Sequence, residues 1–144
     1  MKHILNAGVT DLSALGGLPL FGVSIIISAF LAPSLALQLV TAVVLSYGLT
    51  IIIRLIYYKD RPKKRSHSNF LTSLDASSFP SLHTMRAAIL AVLLAKSELM
   101  LAVLLVFASG VGFARFKLQH HDRYDVLGGF CIGVVLAFLV RGYL

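Results

Sequence analysis

The sequence has few acidic residues and almost no cysteine. Its 144 residues include six Asp and Glu, no Trp and one thiol, that of Cys131. A single thiol excludes a disulfide framework and a metal site built from several thiolates. Charged residues make up only 13% of the chain, against roughly 25% in soluble domains. An ordinary soluble protein is therefore not expected.

Hydrophobic residues, in contrast, are abundant. They make up 58% of the chain, and the net charge is +7. The apolar runs leave no surface for a soluble DNA-binding fold, so we expect no nucleic-acid partner. The positive charge is expected to face lipid headgroups, phosphate or the cytoplasmic side of a membrane. The length suits one domain, so residues 1–144 should form a single membrane-embedded unit.

Long uncharged segments predict the fold class. No charged residue lies between Leu12 and Ile53, a run twice as long as the roughly 20 residues that one spanning helix needs. Pro33 is the best place to divide this run. We therefore expect an all-α, polytopic transmembrane helical bundle of about five spanning helices. The predicted helices cover about 14–32, 35–58, 80–96, 99–115 and 122–142.

Five spans would place every polar cluster at one face of the membrane. The amino terminus and the segments 59–78 and 116–122 share that face, which also carries most of the basic residues. The positive-inside rule makes this face cytoplasmic in a multi-pass protein of the cell membrane. Basic residues there would equally suit anionic headgroups.

Two arginines mark the end of the second predicted helix. Arg54 and Arg61 are seven residues apart, so on a continuing helix they share one face, about 10 Å apart along the axis. Two such long side chains can grip one anion. The alternative is that they only orient the helix end in the membrane.

The segment 80–83 predicts an anion site at a helix start. Pro80 suits the first helical position, and the amides of Ser81, Leu82 and His83 would then lack helical acceptors. The imidazole of His83 would point into the same space. The alternative is an interfacial histidine without a task.

Arg86 lies one turn after His83, at the edge of the apolar core. A charge in that position is costly and needs a partner. Arg86 would therefore line the anion site or pair with Asp75 or Asp125.

A histidine and an aspartate begin the last predicted helix. His121 and Asp125 are four residues apart and would stack on one helical face, with Asp125 accepting the Nδ1 proton of His121. Nε2 would then be available as a nucleophile or base. Arg115 lies six residues before His121, so a polar turn must intervene if the three are to converge. The alternative is a pair that only caps the helix.

Together, the three clusters predict a metal-free phosphoryl-transfer site. A phosphate group carries about −1.5 to −2 charges and favours bidentate arginine contacts. Two histidines and an aspartate add a nucleophile, its orienting acid and a proton donor. Since the chain offers no carboxylate cluster for ions, we expect neither a metal nor another cofactor.

The order and spacing of these residues resemble the type 2 phosphatidic acid phosphatase (PAP2) family, which shares its signature with glucose-6-phosphatase and vanadium haloperoxidases. The family pattern is Lys-x6-Arg-Pro, Pro-Ser-Gly-His and Ser-Arg-x5-His-x3-Asp. This chain departs from it at Arg54, Leu82 and Ala114, which stand where Lys, Gly and Ser are usual. The family core usually has six helices, with the first motif after the third. Here that motif follows the second predicted span, so we expect one amino-terminal helix to be missing.

The resemblance implies a role for each site residue. His121 would attack phosphorus and form a phosphohistidine, Asp125 would orient it, and His83 would protonate the leaving group. The opposed protonation needs of the two histidines predict a bell-shaped rate profile. The phosphate oxygens would be held by side chains and amides of Arg54, Arg61, Ser81, Leu82 and Arg115.

The site would lie at the membrane boundary, where a lipid phosphate can enter sideways from the leaflet. A polyprenyl diphosphate or a broad range of lipid phosphates is favoured, with phosphatidic acid and phosphatidylglycerol phosphate as further candidates. Two alternatives stay open: a lipid phosphotransferase, and a non-enzymatic channel or transporter subunit in which buried charges mark an ion path. Gly129 and Gly133 would let helices pack closely and would permit a homodimer.

Overall fold

The computed structural model describes residues 2–62 and 76–144, and within these ranges all regular structure is helical. The prediction of an all-α fold is confirmed. Six helices follow one another in these ranges: α1 Lys2–Ala14, α2 Leu18–Leu31, α3 Pro33–Ile56, α4 Leu82–Leu94, α5 Glu98–Lys117 and α6 Arg123–Tyr143.

Three of these helices, α3, α5 and α6, are long and apolar enough to cross a membrane. Helices α1 and α2 are bent by 41° at a short break and form a fourth crossing if they count as one span. Helix α4 is also apolar but has only 13 residues. The expected number of about five spans is roughly consistent with this count. Large outward side chains such as Phe30, Ile56 and Tyr143 are 84%, 83% and 85% exposed, as suits an integral membrane protein.

Local sequence signals set several helix boundaries. Pro33 divides the long apolar run as predicted, and it occupies the first turn of α3, where its missing N–H costs nothing. The side chain of Ser97 caps α5 by accepting a hydrogen bond from Met100 N–H at 3.2 Å. Helix α4 begins at Leu82 and not at Pro80, because Ser81 keeps an extended backbone and serves as its N-cap.

The expectation that an amino-terminal helix is missing is wrong. Helix α1 precedes the first predicted span and packs against α5, with Leu12 beside Gly110. Polar residues such as Thr10 and Asp11 hide this helix from a search for long apolar runs. A turn at Gly16 separates α1 from α2, so α2 starts later than predicted.

Helix α4 lies in the middle of the bundle. It packs against α3, α5 and α6, and its residues from 84 to 93 are all buried. A Cβ atom added at Gly129 or Gly133 of α6 would lie 2.5 Å from the carbonyl oxygen of Ser81 or Met85. The predicted close packing is therefore confirmed, and these two glycines serve contacts within one chain, so they do not form a dimer face.

Candidate active site

A cavity of about 450 Å³ brings together residues from all three predicted clusters. Six of the eight predicted site residues line it, and only Ser81 and Asp125 lie behind its wall. The cavity is formed by the start of α2, the second half of α3, the chain just after α3, the start of α4, the last turn of α5 and the turn between α5 and α6. Its lining residues are Gly17, Leu18, Pro19, Tyr47, Arg54, Arg61, Leu82, His83, Arg86, Arg115, His120 and His121.

Arg54 is fixed in the cavity wall by the chain that leads into α4. Its Nε donates to the carbonyl oxygen of Phe79 and its Nη2 to that of Pro80, both at 3.3 Å. The residue is only 7% exposed. These bonds hold the guanidinium still and tie the end of α3 to the start of α4.

Arg61 reaches the cavity by a different route from the one predicted. Helix α3 ends at Ile56, and Tyr57 already has an extended backbone, so Arg54 and Arg61 do not share a helical face. The non-helical chain after α3 instead brings Arg61 to the same cavity. The convergence is as predicted, but its structural cause is not.

The position of Arg115 depends on α1, the helix that the sequence did not predict. It lies in the last turn of α5, where it is 8% exposed. Its Nη1 donates to Ser13 Oγ of α1 at 3.2 Å. Helix α1 therefore contributes to the position of this cavity arginine.

Ser81 does not offer its amide to the cavity. Its N–H donates to the carbonyl oxygen of Asp125 at 3.0 Å, and its hydroxyl shares a hydrogen bond with Thr84 Oγ1 at 3.1 Å. The prediction of a free Ser81 amide is therefore wrong, and the residue supports the site from behind. The first helical bond of α4 runs from Met85 N–H to Ser81 O, which leaves the cavity-lining Leu82 and His83 with amides that have no helical acceptor.

His121 lies in the turn between α5 and α6 and is 3% exposed. The predicted turn is present, with Gln119 in the left-handed region at φ 56°. Because His121 precedes α6, it does not stack with Asp125 on a helical face. Its Nδ1 lies 3.7 Å from Asp125 Oδ2, which is too long for a hydrogen bond. Burial lowers the pKa of His121, and the charges of Arg115 and Arg61 lower it further against the opposing effect of Asp125.

The fully buried carboxylate of Asp125 is held by two donors other than His121. Its Oδ1 accepts from Lys59 Nζ at 2.8 Å and its Oδ2 from Asp122 N–H at 2.9 Å. Asp122 in turn accepts from the amide of Asp125, and the pair forms a capping box at the start of α6. Asp125 therefore does cap the helix, but its partner in the cap is Asp122 and not His121 as the alternative supposed. In the same geometry Asp125 also faces His121.

Lys59 is the site-supporting residue that the sequence pattern did not single out. Its Nζ contacts Asp122 Oδ2 at 2.6 Å as well as Asp125 Oδ1. Its backbone carbonyl accepts from Ser78 N–H at 2.8 Å, so it also holds the segment before α4. Partial burial alone would lower the pKa of Lys59, but the bonds to both carboxylates outweigh burial and raise it. The only signal in the sequence is its place between the two arginines.

The alternatives for Arg86 can now be separated. It lines the cavity, where its Nε donates to Gly16 O at 2.9 Å and its Nη1 to Tyr47 Oη at 2.7 Å. The predicted pairing with Asp125 is therefore wrong. Asp75 lies outside the described residues.

Comparison with known sequences fits this geometry. The PAP2 superfamily profile matches residues 35–144. The chain belongs to the PAP2 superfamily. The resemblance drawn from the three motifs is thereby confirmed.

Two curated relatives come from Bacillus subtilis (strain 168). Undecaprenyl-diphosphatase BcrC is 32% identical over 141 residues, which cover 96% of this chain and 56% of BcrC. Phosphatidylglycerophosphatase B is 38% identical over 78 residues, which cover 46% of this chain and 38% of the relative. The chain therefore spans about half the length, or less, of these two proteins.

Two solved structures share the PAP2 fold of this chain. LpxE of Aquifex aeolicus superimposes with a TM-score of 0.80 at 22% identity, covering 97% of this chain and 87% of LpxE. The first transmembrane PAP2 type phosphatidylglycerolphosphate phosphatase from Bacillus subtilis gives a TM-score of 0.70 at 28% identity. That match covers 96% of this chain and 76% of the phosphatase. The arrangement of the described helices is thus one that a PAP2 type phosphatase also adopts.

Proposed function

We propose that this protein is a lipid phosphatase of the cell membrane. It hydrolyses the phosphate or diphosphate ester of a lipid, either a polyprenyl diphosphate or a lipid of the phosphatidic acid type. The observation that carries the proposal is the convergence of Arg54, Arg61 and Arg115 with His83 and His121 on one cavity of an apolar helical bundle. The activities after which BcrC and phosphatidylglycerophosphatase B are named support a lipid phosphate as substrate.

The proposed reaction proceeds through a phosphohistidine. The neutral Nε2 of His121 attacks phosphorus, and the bond from phosphorus to the lipid oxygen breaks as His83 donates a proton to that oxygen. The arginines stabilise the negative charge on the phosphoryl oxygens. A water molecule then gives its proton to His83 and attacks the phosphohistidine, which releases phosphate.

Asp125 acts on His121 through its charge. Its Oδ2 lies 3.7 Å from the imidazole Nδ1, so the carboxylate stabilises the positive charge that forms on the ring as Nε2 bonds to phosphorus. The bonds from Lys59 and Asp122 keep this carboxylate ionised and in place. Because arginines supply the positive charge, we expect activity to persist in a chelator.

Phosphate release by the purified protein tests this proposal. We expect release from farnesyl diphosphate or phosphatidic acid in detergent micelles to be abolished in His121→Ala. His120→Ala is the matched control, because it removes the neighbouring imidazole, and it should retain far more activity. Retained activity in His121→Ala would refute the assignment, and no release by the wild type would favour the channel alternative.

A second measurement distinguishes hydrolysis from transfer to another acceptor. The wild type is incubated with labelled substrate and a large excess of a second lipid alcohol. Inorganic phosphate should account for the label lost from the substrate. Label recovered mainly in the second lipid would indicate a phosphotransferase.

A further inference from the structure

The cavity holds a fourth guanidinium group beyond the three that the PAP2 motifs account for. Arg86 is 3% exposed and lines the cavity together with the other arginines. Two of its nitrogens donate hydrogen bonds, Nε to Gly16 O and Nη1 to Tyr47 Oη. Among residues 7–62 and 76–144 its Nη2 has no acceptor. A buried charge that faces a cavity in this way favours an anionic ligand.

Arg86 lies deeper in the bundle than the predicted catalytic residues. It follows His83 on the same face of α4, one turn or about 4.5 Å further along the axis. Its partner Tyr47 lies on α3, two turns before Arg54. Arg86 and Tyr47 therefore form a second layer beneath the layer of Arg54 and His83.

A separate apolar groove of about 220 Å³ lies further along the same helices, next to this second layer. On α4 the face that carries His83 and Arg86 goes on to Ala87 and Leu90, which line the groove. On α5 the face of Arg115 likewise goes on to Val111 and further apolar residues. The wall therefore changes in order from a cationic pocket, through Arg86, to a hydrocarbon surface. That order matches a ligand with two successive anionic groups and then an apolar chain.

We propose that Arg86 binds the phosphate nearer the lipid chain of a lipid diphosphate and makes the diphosphate the preferred substrate. This inference rests on the proposed function. The terminal phosphate occupies the pocket of the three motif arginines, the inner phosphate contacts Arg86, and the chain begins in the groove.

The inner phosphate also becomes part of the leaving group. His121 Nε2 forms a bond to the terminal phosphorus, the bond from that phosphorus to the bridging oxygen breaks, and His83 protonates that oxygen. The lipid monophosphate that leaves still has its phosphate at Arg86. A lipid monophosphate substrate would instead place an uncharged part of the lipid there and leave the buried charge unpaired.

The ratio of kcat/KM for farnesyl diphosphate and farnesyl monophosphate tests this inference on the full chain in detergent. The wild type should prefer the diphosphate. Arg86→Gln keeps a donor for Gly16 O but removes the charge. Arg86→Gln should lower the ratio by about 10- to 100-fold, as expected for lost charge-assisted hydrogen bonds. Most of this change should come from a lower kcat/KM for the diphosphate. The ratio for Arg86→Lys should lie between the ratios for Arg86→Gln and the wild type.

Arg141→Gln is the matched control. Arg141 Nη1 donates to Val92 O near the other end of α4 at 3.1 Å, away from the cavity. Like Arg86→Gln, Arg141→Gln removes an arginine and changes a bond to a backbone carbonyl that involves α4. The ratio of kcat/KM for the two substrates should nevertheless stay within about threefold of the wild type. An equal change of the ratio in Arg141→Gln and Arg86→Gln would overturn the inference.

The outcomes distinguish this inference from the proposed function. A wild type that cleaves neither substrate refutes the function. A wild type that cleaves both equally well, or an Arg86→Gln variant that loses both equally, overturns only the role of Arg86. If Arg86→Gln does not fold, inhibition of the wild type decides: methylenediphosphonate should inhibit at about tenfold lower concentration than methylphosphonate, and equal inhibition would overturn the inference.

Discussion

Lys59 Nζ lies 2.8 Å from Asp125 Oδ1 and 2.6 Å from Asp122 Oδ2. One ammonium group therefore contacts both carboxylates at the start of α6 and offsets part of their negative charge. Asp125 is fully buried, whereas the Lys59 side chain is 22% exposed. The lysine thus connects the loop after α3 to the carboxylate that faces His121.

Replacing Lys59 tests whether this contact positions Asp125. Lys59→Met leaves a buried carboxylate without its cation, so Asp125 should shift from His121 and kcat/KM should fall by about 10- to 100-fold. The unfolding temperature should also fall, by about 5 °C. Lys59→Arg keeps the charge and should restore most of the activity. If Lys59→Met unfolds earlier but keeps its kcat/KM, the lysine has only a structural role.

The same contact predicts how stability depends on pH. Partial burial alone would raise the pKa of Asp122, but the bond from Lys59 outweighs burial and lowers it. The ionised Asp122 carboxylate therefore stabilises the fold above its unfolded pKa, and this stabilisation is lost as pH falls through the lowered value. The pKa of Lys59 is raised, so its contribution is present below the unfolded pKa and is lost as pH rises through the raised value. Unfolding temperatures should fall at both extremes, and a Lys59→Met variant with the wild-type pH dependence would contradict this.

Sequence reasoning identified the arginines and histidines that line the cavity, because charged and titratable residues near helix ends stand out in a membrane protein. It did not find Lys59, whose role exists only because the fold brings the chain after α3 to the start of α6. It assigned the Ser81 amide wrongly for the same reason, since the acceptor, Asp125 O, comes from a distant helix. The helix with Ser13 escaped notice because its polar residues do not form a long apolar run.

The pH profile of activity should reflect the buried His121. Burial and the neighbouring arginines lower its pKa, so the nucleophile should stay neutral to below pH 6.5 and activity should be lost as pH falls through the lowered value. Burial and the charges of Arg115 and Arg86 lower the pKa of His83 too, so activity should fall again as pH rises and His83 loses its proton, and the maximum should lie at acidic pH. The logarithm of kcat/KM, measured from about pH 4 to 9 with a lipid phosphate, should be bell-shaped. A flat profile would contradict these roles.

Gly16 offers a test of how the turn between α1 and α2 closes one side of the cavity. A Cβ atom at this residue would lie 2.4 Å from the carbonyl oxygen of His83 and 2.8 Å from a methyl group of Val111, so the turn must move away from α4. Moving it also disturbs Gly16 O, which accepts the bond from Arg86 Nε at 2.9 Å. Gly16→Ala should therefore destabilise the fold by about 1–3 kcal/mol and lower phosphate release.

Gly22→Ala is the matched control for this change. The two substitutions add the same methyl group, but a Cβ atom at Gly22 meets nothing within 4 Å. Because Gly22 is a helical residue of α2, alanine there should leave the unfolding temperature unchanged or raise it slightly. Thermal unfolding of both variants in detergent, with phosphate release measured on the same samples, compares them directly. Equal unfolding temperatures for Gly16→Ala and Gly22→Ala would show that the turn does not pack against α4 as tightly as the structure indicates.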